Sequence, residues 1–254
     1  MKKHLWIGLG LFAAFVLFTV LVAFVNVKPI GRQGTDVGFA DWNEHFDTAT
    51  GEHDKLYSLT EKAGYLAVIP VLSFACIGLL QLIRRKSLRK VDPDILLMGG
   101  LYVALGICYV LFEKLVINYR PPYGNETELE ASYPSSHTLL LVAVMATAVM
   151  QIRVRVKTNA TRLALSLLCI ITALFVICGR AVCGVHWLTD ICGGLLLAGA
   201  LSWLYYAFAF AGKEYPDTPY TRRATECVYA GPEDPYMIDV YAGPAEPDPE
   251  EERS

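Results

Sequence analysis

Six ionisable side chains between residues 114 and 190 stand at the ends of long apolar segments, where they could bind and transform an anion. They are Lys114, Arg120, His137, Arg180, His186 and Asp190. Ionisable residues beside segments of membrane-spanning length are costly, so such a set is a functional candidate by default. Cations, imidazoles and a carboxylate together form an anion site with acid and base groups. Arginine forks in particular suit a tetrahedral oxyanion such as phosphate.

The spacing of His186 and Asp190 predicts a histidine nucleophile with an orienting carboxylate. The two residues stand four positions apart. On a helix this spacing places both side chains on one face, within hydrogen-bonding reach. A carboxylate that accepts from Nδ1–H leaves Nε2 unprotonated and free to attack.

His137 follows Pro134, Ser135 and Ser136 at the predicted start of a helix. Backbone N–H donors and the helix dipole favour an anion at such a position, and the Ser135 hydroxyl is a further donor. A single histidine cannot conveniently attack phosphorus and also protonate the departing oxygen on the opposite side of an in-line displacement. His137 is therefore predicted to move the proton, first to the leaving oxygen and then from the attacking water.

The composition indicates a chain embedded in a membrane. Hydrophobic residues make up 54% of the 254 residues, charged residues make up 19%, and the mean hydropathy is +0.38. A soluble domain with a wetted surface is far less apolar, so the surplus must face lipid. The formal net charge is -3, and the charges fall in short loops rather than on one basic face, which argues against nucleic acid as a partner.

Apolar runs long enough to cross a membrane recur six times. A hydrocarbon core about 30 Å thick needs roughly 20 apolar residues of helix. The predicted spans cover residues 5–25, 65–83, 95–117, 138–152, 163–178 and 191–211. The sequence therefore predicts an all-α, polytopic membrane protein, a bundle of six transmembrane helices with both termini on one side. The candidate site is predicted at the helix ends on the other side.

Basic residues in the short loops predict the orientation of this bundle. They are Arg84, Arg85, Lys86, Arg89 and Lys90 after the second span, and Arg153, Arg155, Lys157 and Arg162 after the fourth. Such loops are cytoplasmic, so both termini are predicted in the cytoplasm and the site on the extracytoplasmic face of the cell membrane. Residues 1–212 are predicted to form the membrane domain. Residues 213–254, rich in Pro and acidic residues, are predicted to form a disordered cytoplasmic tail.

Three segments resemble the motifs of the type 2 phosphatidic acid phosphatase (PAP2) family. They are Lys114–Pro121, Pro134–His137 and Gly179–Asp190. The resemblance implies metal-independent hydrolysis of a lipid phosphate or diphosphate through a phosphohistidine, with no cofactor. It implies that His186 is the nucleophile, Asp190 its orienting partner and His137 the acid for the leaving group. The implied phosphate ligands are Arg120, Arg180, Lys114 and Ser135, and Ser136 is predicted as a further ligand.

Three positions depart from the family pattern. Glu113 occupies the position of the family's Lys, and Lys114 is displaced from it by about 100° on a regular helix. Ser136 replaces a Gly of the second motif, which adds a side chain where the backbone approaches the phosphate. Gly179 replaces a Ser of the third motif, which removes one hydroxyl ligand.

Two other classes of function fit parts of the same pattern. A metal hydrolase would use His, Asp and Cys183 as ligands, but the sequence has no HExxH and no second ligand pair at helical spacing. A transporter or binding protein for an anion or lipid phosphate would use the cationic cluster without hydrolysis, although transporter sites tend to lie near the membrane midplane. The substrate stays open between polyprenyl diphosphate, phosphatidic acid and phosphatidylglycerol phosphate.

Overall fold

The computed structural model describes residues 2–121, 123 and 129–212, and helices form most of this part of the chain. The helices are α1 (Lys2–Phe24), α2 (Ala40–Thr50), α3 (Asp54–Gly64), α4 (Val68–Arg85), α5 (Pro93–Lys114), α6 (Ser136–Arg155), α7 (Asn159–Val182) and α8 (Leu188–Ala209). Short 3-10 turns cover Tyr65–Ala67 and Leu88–Lys90, and the strands β1 (Lys28–Ile30) and β2 (Thr35–Val37) form one hairpin. The predicted all-α class is confirmed.

Six of the helical segments described are long and apolar enough to cross a membrane, as predicted. The bounds differ from the apolar runs because helical hydrogen bonding continues through polar residues that hydropathy does not register. Thus the helical segment that contains the second span begins at Asp54 and runs through α3 and α4 for 32 residues. The third span ends earlier than predicted, because the backbone leaves the helical region at Leu115, where φ is -90° and ψ is 80°.

The helices α6 and α8 form the centre of the bundle. Half of the most apolar stretch of each is buried, whereas only 6% of that stretch is buried in the α3–α4 segment. Small residues let neighbouring elements approach α8 closely. A Cβ atom on Gly193 would lie 2.5 Å from Cε2 of Tyr133, and one on Gly8 of α1 would lie 2.7 Å from Cδ2 of Leu204. The α8 surface therefore fixes both α1 and the segment that precedes α6.

Residues 28–64, which we call the cap, cover the end of the bundle where α6 and α8 begin. The cap comprises the hairpin, α2 and α3. Trp187, directly before α8, is buried in a cluster with Ile30, Val37 and Ala40 of the cap. Asn43 of α2 donates to Oγ1 of Thr189 at 3.0 Å and accepts from the Thr189 backbone N–H at 3.2 Å. These bonds tie the cap to the first turn of α8.

A polar network joins the helices at the other end of the bundle. Arg155, near the end of α6, pairs with Asp94 of α5 at 2.6 Å between Nη2 and Oδ2. The amide of Gln151 donates to the same carboxylate at 3.1 Å. The basic residues Arg84 and Arg85 end α4 there. The predicted tail, residues 213–254, lies outside the described residues, so its boundary and its state stay predictions.

Candidate active site

The candidate site residues come from four places at one end of the bundle. Arg120 and Ser135 lie between α5 and α6, His137 lies in the first turn of α6, Arg180 lies in the last turn of α7, and His186 and Asp190 flank the start of α8. Arg180, His186 and Asp190 are almost completely buried. The fold therefore brings the three recognised segments to one end of the bundle.

His186 lies in the loop before α8 and not on the helix itself. Helix α8 begins at Leu188, so the predicted contact of His186 and Asp190 across one helical face is wrong. Nδ1 of His186 lies 3.9 Å from Oδ2 of Asp190, which is too long for a hydrogen bond. The atom within hydrogen-bonding distance of Nδ1 is instead Oγ of Ser132, at 3.1 Å.

Asp190 is the centre of a hydrogen-bond network that the sequence did not reveal. Its Oδ2 accepts from the Trp187 backbone N–H at 2.9 Å and from the Ser132 hydroxyl at 2.5 Å. Its Oδ1 accepts from the Asn118 amide at 3.2 Å. The bond to Trp187 belongs to a capping box, so one carboxylate both starts α8 and lies beside the nucleophile candidate.

His137 and Arg180 are in direct contact. Nη2 of Arg180 lies 2.9 Å from Nδ1 and 3.0 Å from Nε2 of the imidazole. Only the unprotonated nitrogen of a neutral imidazole can accept from a guanidinium. The other ring nitrogen of His137 then carries the proton. Arg180 is also packed against the cap, because the Tyr57 ring lies 5.0 Å from its guanidinium carbon.

Several buried nitrogens of these residues have no hydrogen-bond partner within the described ranges. They are Arg120 Nε, Arg180 Nε, Arg180 Nη1 and His186 Nε2. Buried polar groups are rarely left unpaired, because each costs about 1–3 kcal/mol. The remaining guanidinium contact of Arg120 is an ion pair with Glu130, at 2.9 Å between Nη1 and Oε2. The unpaired nitrogens match what a bound oxyanion would require.

Burial lowers the pKa of the His186 imidazole below its ordinary value. The Asp190 carboxylate acts in the opposite direction, whereas the positive charges of Arg120 and Arg180 lower the pKa further. Because the neutral imidazole is favoured, His186 keeps an unprotonated nitrogen at neutral pH.

The two serines of the second motif lie at the start of α6. Ser135 is fully buried and caps the helix, since its Oγ accepts from the Thr138 backbone N–H at 3.4 Å. Ser136 is half-buried and lines a small cavity of about 20 Å³ together with Arg120, Ser132 and Glu113. Glu113 lines this cavity, and Lys114 does not.

Lys114 is the last residue of α5 and its side chain is exposed. No hydrogen bond or ion pair of its side chain is found within residues 2–121, 123 and 129–212. Its position is that of the displaced residue expected from the spacing of the first motif, and its binding of phosphate stays a prediction.

The cap explains the glycine in the third segment. A Cβ atom on Gly179 would lie 2.3 Å from Cγ2 of Thr60 in α3, so the cap occupies the space that a larger residue would need. Gly184 has φ of +80°, and a Cβ there would lie 2.8 Å from the Gly51 carbonyl oxygen. Positive φ and close backbone approach both require glycine. The presence of Gly179 where the family has Ser thus matches the close approach of Thr60.

An apolar groove of about 490 Å³ begins at Ser136 and His137 and runs between α4, α5 and α6. Its walls include Val68, Leu105 and Val144. The groove leads from the imidazole of His137 into the membrane-spanning part of the bundle. It can take an apolar chain whose polar end lies beside His137.

Comparisons with known proteins agree with this description. Residues 95–213 match a family profile described as the PAP2 superfamily. The fold is similar to the crystal structure of the first transmembrane PAP2 type phosphatidylglycerolphosphate phosphatase from Bacillus subtilis, with a TM-score of 0.61 and 18% identity over 82% of this chain and 98% of that chain. No curated protein matches the chain. The resemblance seen in the three segments is therefore confirmed, because all three lie within the residues 95–213 that match the PAP2 superfamily.

Proposed function

We propose that this membrane protein hydrolyses a lipid phosphate or diphosphate without a metal ion, through a phosphohistidine on His186. The observation that carries the proposal is the set of unpaired buried nitrogens of Arg120, Arg180 and His186. A phosphoryl group offers acceptor oxygens to the guanidinium donors and an electrophilic phosphorus to Nε2 of His186. Binding it would satisfy groups that have no partner within the described part of the chain and are costly to leave unpaired.

The two imidazoles divide the reaction between them. His137 takes a proton when the anionic substrate binds, and the resulting imidazolium no longer accepts from Arg180. Nε2 of His186 attacks phosphorus, the bond from phosphorus to the leaving oxygen breaks, and that oxygen takes a proton from the His137 imidazolium. Water then attacks the phosphohistidine, gives its proton to His137 and releases phosphate, which returns both histidines to their starting state. Arg120 and Arg180 stabilise the charge on the phosphoryl oxygens in both steps. Ser135 and Ser136, at the start of α6, are proposed as further phosphate ligands.

A lipid substrate fits the site better than a soluble phosphate does. The apolar groove that begins at His137 offers space for an acyl or prenyl chain while the head group lies at the helix ends. The relative from Bacillus subtilis is named as a phosphatidylglycerolphosphate phosphatase. We propose phosphatidylglycerol phosphate, phosphatidic acid and polyprenyl diphosphate as the substrates to compare.

The distribution of basic residues supports a proposed orientation of the bundle. The basic ends of α4 and α6 lie at the end opposite the candidate site. Because basic loops stay in the cytoplasm, we propose that the site faces the extracytoplasmic side and that both termini are cytoplasmic.

A phosphate-release assay on the purified protein in detergent tests this function. We expect turnover of at least one of the three lipids with EDTA present, and a labelled phosphoenzyme in rapid-quench samples that is stable to base and labile to acid. His186→Ala should lose both. Binding of lipid phosphate without release would favour the transporter class. Turnover by His186→Ala, or activity that EDTA abolishes and only a divalent metal restores, would contradict the mechanism.

A further inference from the structure

Ser132 lies between the carboxylate of Asp190 and the imidazole of His186. Its Oγ is 2.5 Å from Oδ2 of Asp190 and 3.1 Å from Nδ1 of His186, while those two atoms are 3.9 Å apart. The hydroxyl thus fills a gap that the acid and the imidazole do not close directly. All three side chains are at least nine-tenths buried, so water does not replace this contact.

The direction of each hydrogen bond follows from the donors available. An ionised carboxylate can only accept, and a serine hydroxyl has one proton to give. The Trp187 backbone N–H and the Asn118 amide also donate to Asp190, which favours its ionised form. The Ser132 proton therefore goes to Asp190, and the lone pairs of its oxygen face Nδ1 of His186.

We infer that Ser132 is a positioning residue that transmits the charge of Asp190 to His186 and selects the tautomer with the proton on Nδ1. In that tautomer Nε2 is unprotonated, and Nε2 is the ring atom without a partner among the described residues. The nucleophilic nitrogen is therefore set by a hydroxyl that is 54 residues from the histidine in sequence. The catalytic consequence of this inference rests on the proposed function, whereas the assignment of the His186 tautomer does not.

The Ser132→Ala variant tests this role by kinetics. It removes the acceptor for Nδ1–H and leaves the guanidinium donors of the site in place. We expect kcat to fall by about 10- to 150-fold, the range for a hydrogen bond to a charged group, with KM changed by less than about threefold. Ser202→Ala is the matched control, because Ser202 is also buried in the bundle and its hydroxyl has no partner in the described part of the chain. This control should keep the parent kcat.

A double variant separates transmission from a general packing effect. If Ser132 acts only by transmitting the charge of Asp190, its loss should matter little once that charge is gone. Ser132→Ala added to Asp190→Asn should therefore reduce kcat by less than about threefold beyond Asp190→Asn alone. Independent, multiplying losses would overturn the inference, and so would a Ser132→Ala variant with the parent kcat.

The tautomer of His186 can be measured without any substrate turnover. In protein labelled with ¹⁵N-histidine, with the His186 signal assigned by its absence in His186→Gln, we expect the Nδ1–H form in the parent. Ser132→Ala should shift the population towards Nε2–H. A parent in the Nε2–H form would overturn the inference even if the enzyme is active. An inactive parent would count against the proposed function alone, since the tautomer would still decide the role of Ser132.

Discussion

The aromatic ring of Tyr57 in the cap lies 5.0 Å from the guanidinium carbon of Arg180 in α7. The ring centroids of Tyr123 and Tyr57 lie 5.1 Å apart. The Tyr123 hydroxyl donates to Oδ1 of Asp54 at 2.7 Å. One face of Arg180 is thus held by the cap while its Nη2 contacts His137. This arrangement orients the guanidinium, whose Nε and Nη1 have no partner among the described residues.

Replacing Tyr57 should weaken phosphate binding. A cation–π contact is worth about 0.5–2 kcal/mol, so Tyr57→Leu should raise KM and the inhibition constant of inorganic phosphate by about 2- to 30-fold. Tyr57→Phe keeps the ring and should stay within about twofold of the parent. Equal effects of the two variants would show that the hydroxyl or the side-chain volume, and not the ring face, is what matters.

The contact between Gly179 and Thr60 predicts a compensating pair of substitutions. Gly179→Ser restores the residue of the family pattern, but its Cβ would lie 2.3 Å from Cγ2 of Thr60. We expect a loss of about 1–3 kcal/mol in stability, seen as a lower Tm in detergent. Thr60→Ser removes Cγ2 and can keep the hydroxyl bond to the Leu56 carbonyl, so the double variant should recover most of the Tm. No recovery would mean that the strain lies elsewhere.

The pH dependence of kcat/KM should report the neutral state of His186. Its pKa is lowered by burial, and by Arg120 and Arg180 against the opposing effect of Asp190. The reactive imidazole is the neutral form, so activity falls only when the pH drops below the lowered pKa. The acidic limb should therefore lie below about 6.5, the ordinary value for histidine. A limb at or above that value would place a different group in control.

The predicted role of Lys114 as a phosphate ligand can be tested by substitution. Loss of a hydrogen bond to a charged group would lower kcat/KM by about 10- to 150-fold in Lys114→Ala. The side chain is exposed at the end of α5, where Glu113 and not Lys114 lines the cavity beside Arg120. A change within threefold would show that Lys114 stays at the surface during turnover.

The predicted orientation can be measured with fused reporters. A reporter placed after Arg155, at the end of α6, should be labelled only from the cytoplasm. A reporter inserted near Gly124 should be labelled from outside the intact cell. The reverse pattern would place the candidate site in the cytoplasm.

The sequence by itself determined the membrane bundle and the residues of the three segments. Apolar length is a local property that the thickness of the bilayer selects, so six spans can be counted without any tertiary contact. Spacing within a segment is equally local, which is why His137, Arg180 and His186 could be named. The sequence rule that failed, which inferred a contact from a four-residue spacing, was also local. The four-residue spacing of His186 and Asp190 implies a contact only inside a helix, and α8 begins after His186.

The tertiary structure alone decided how these residues are oriented. Ser132 reaches His186 across 54 residues, Asn118 reaches Asp190 across 72, and Asn43 reaches Thr189 across 146. None of these polar residues repeats with a helical or strand period, so no pattern in the sequence distinguishes them from other polar residues. Their partners are set by the packing of the cap and the segment before α6 onto α8, because a hydrogen bond depends on the position of two atoms in space and not on their separation along the chain.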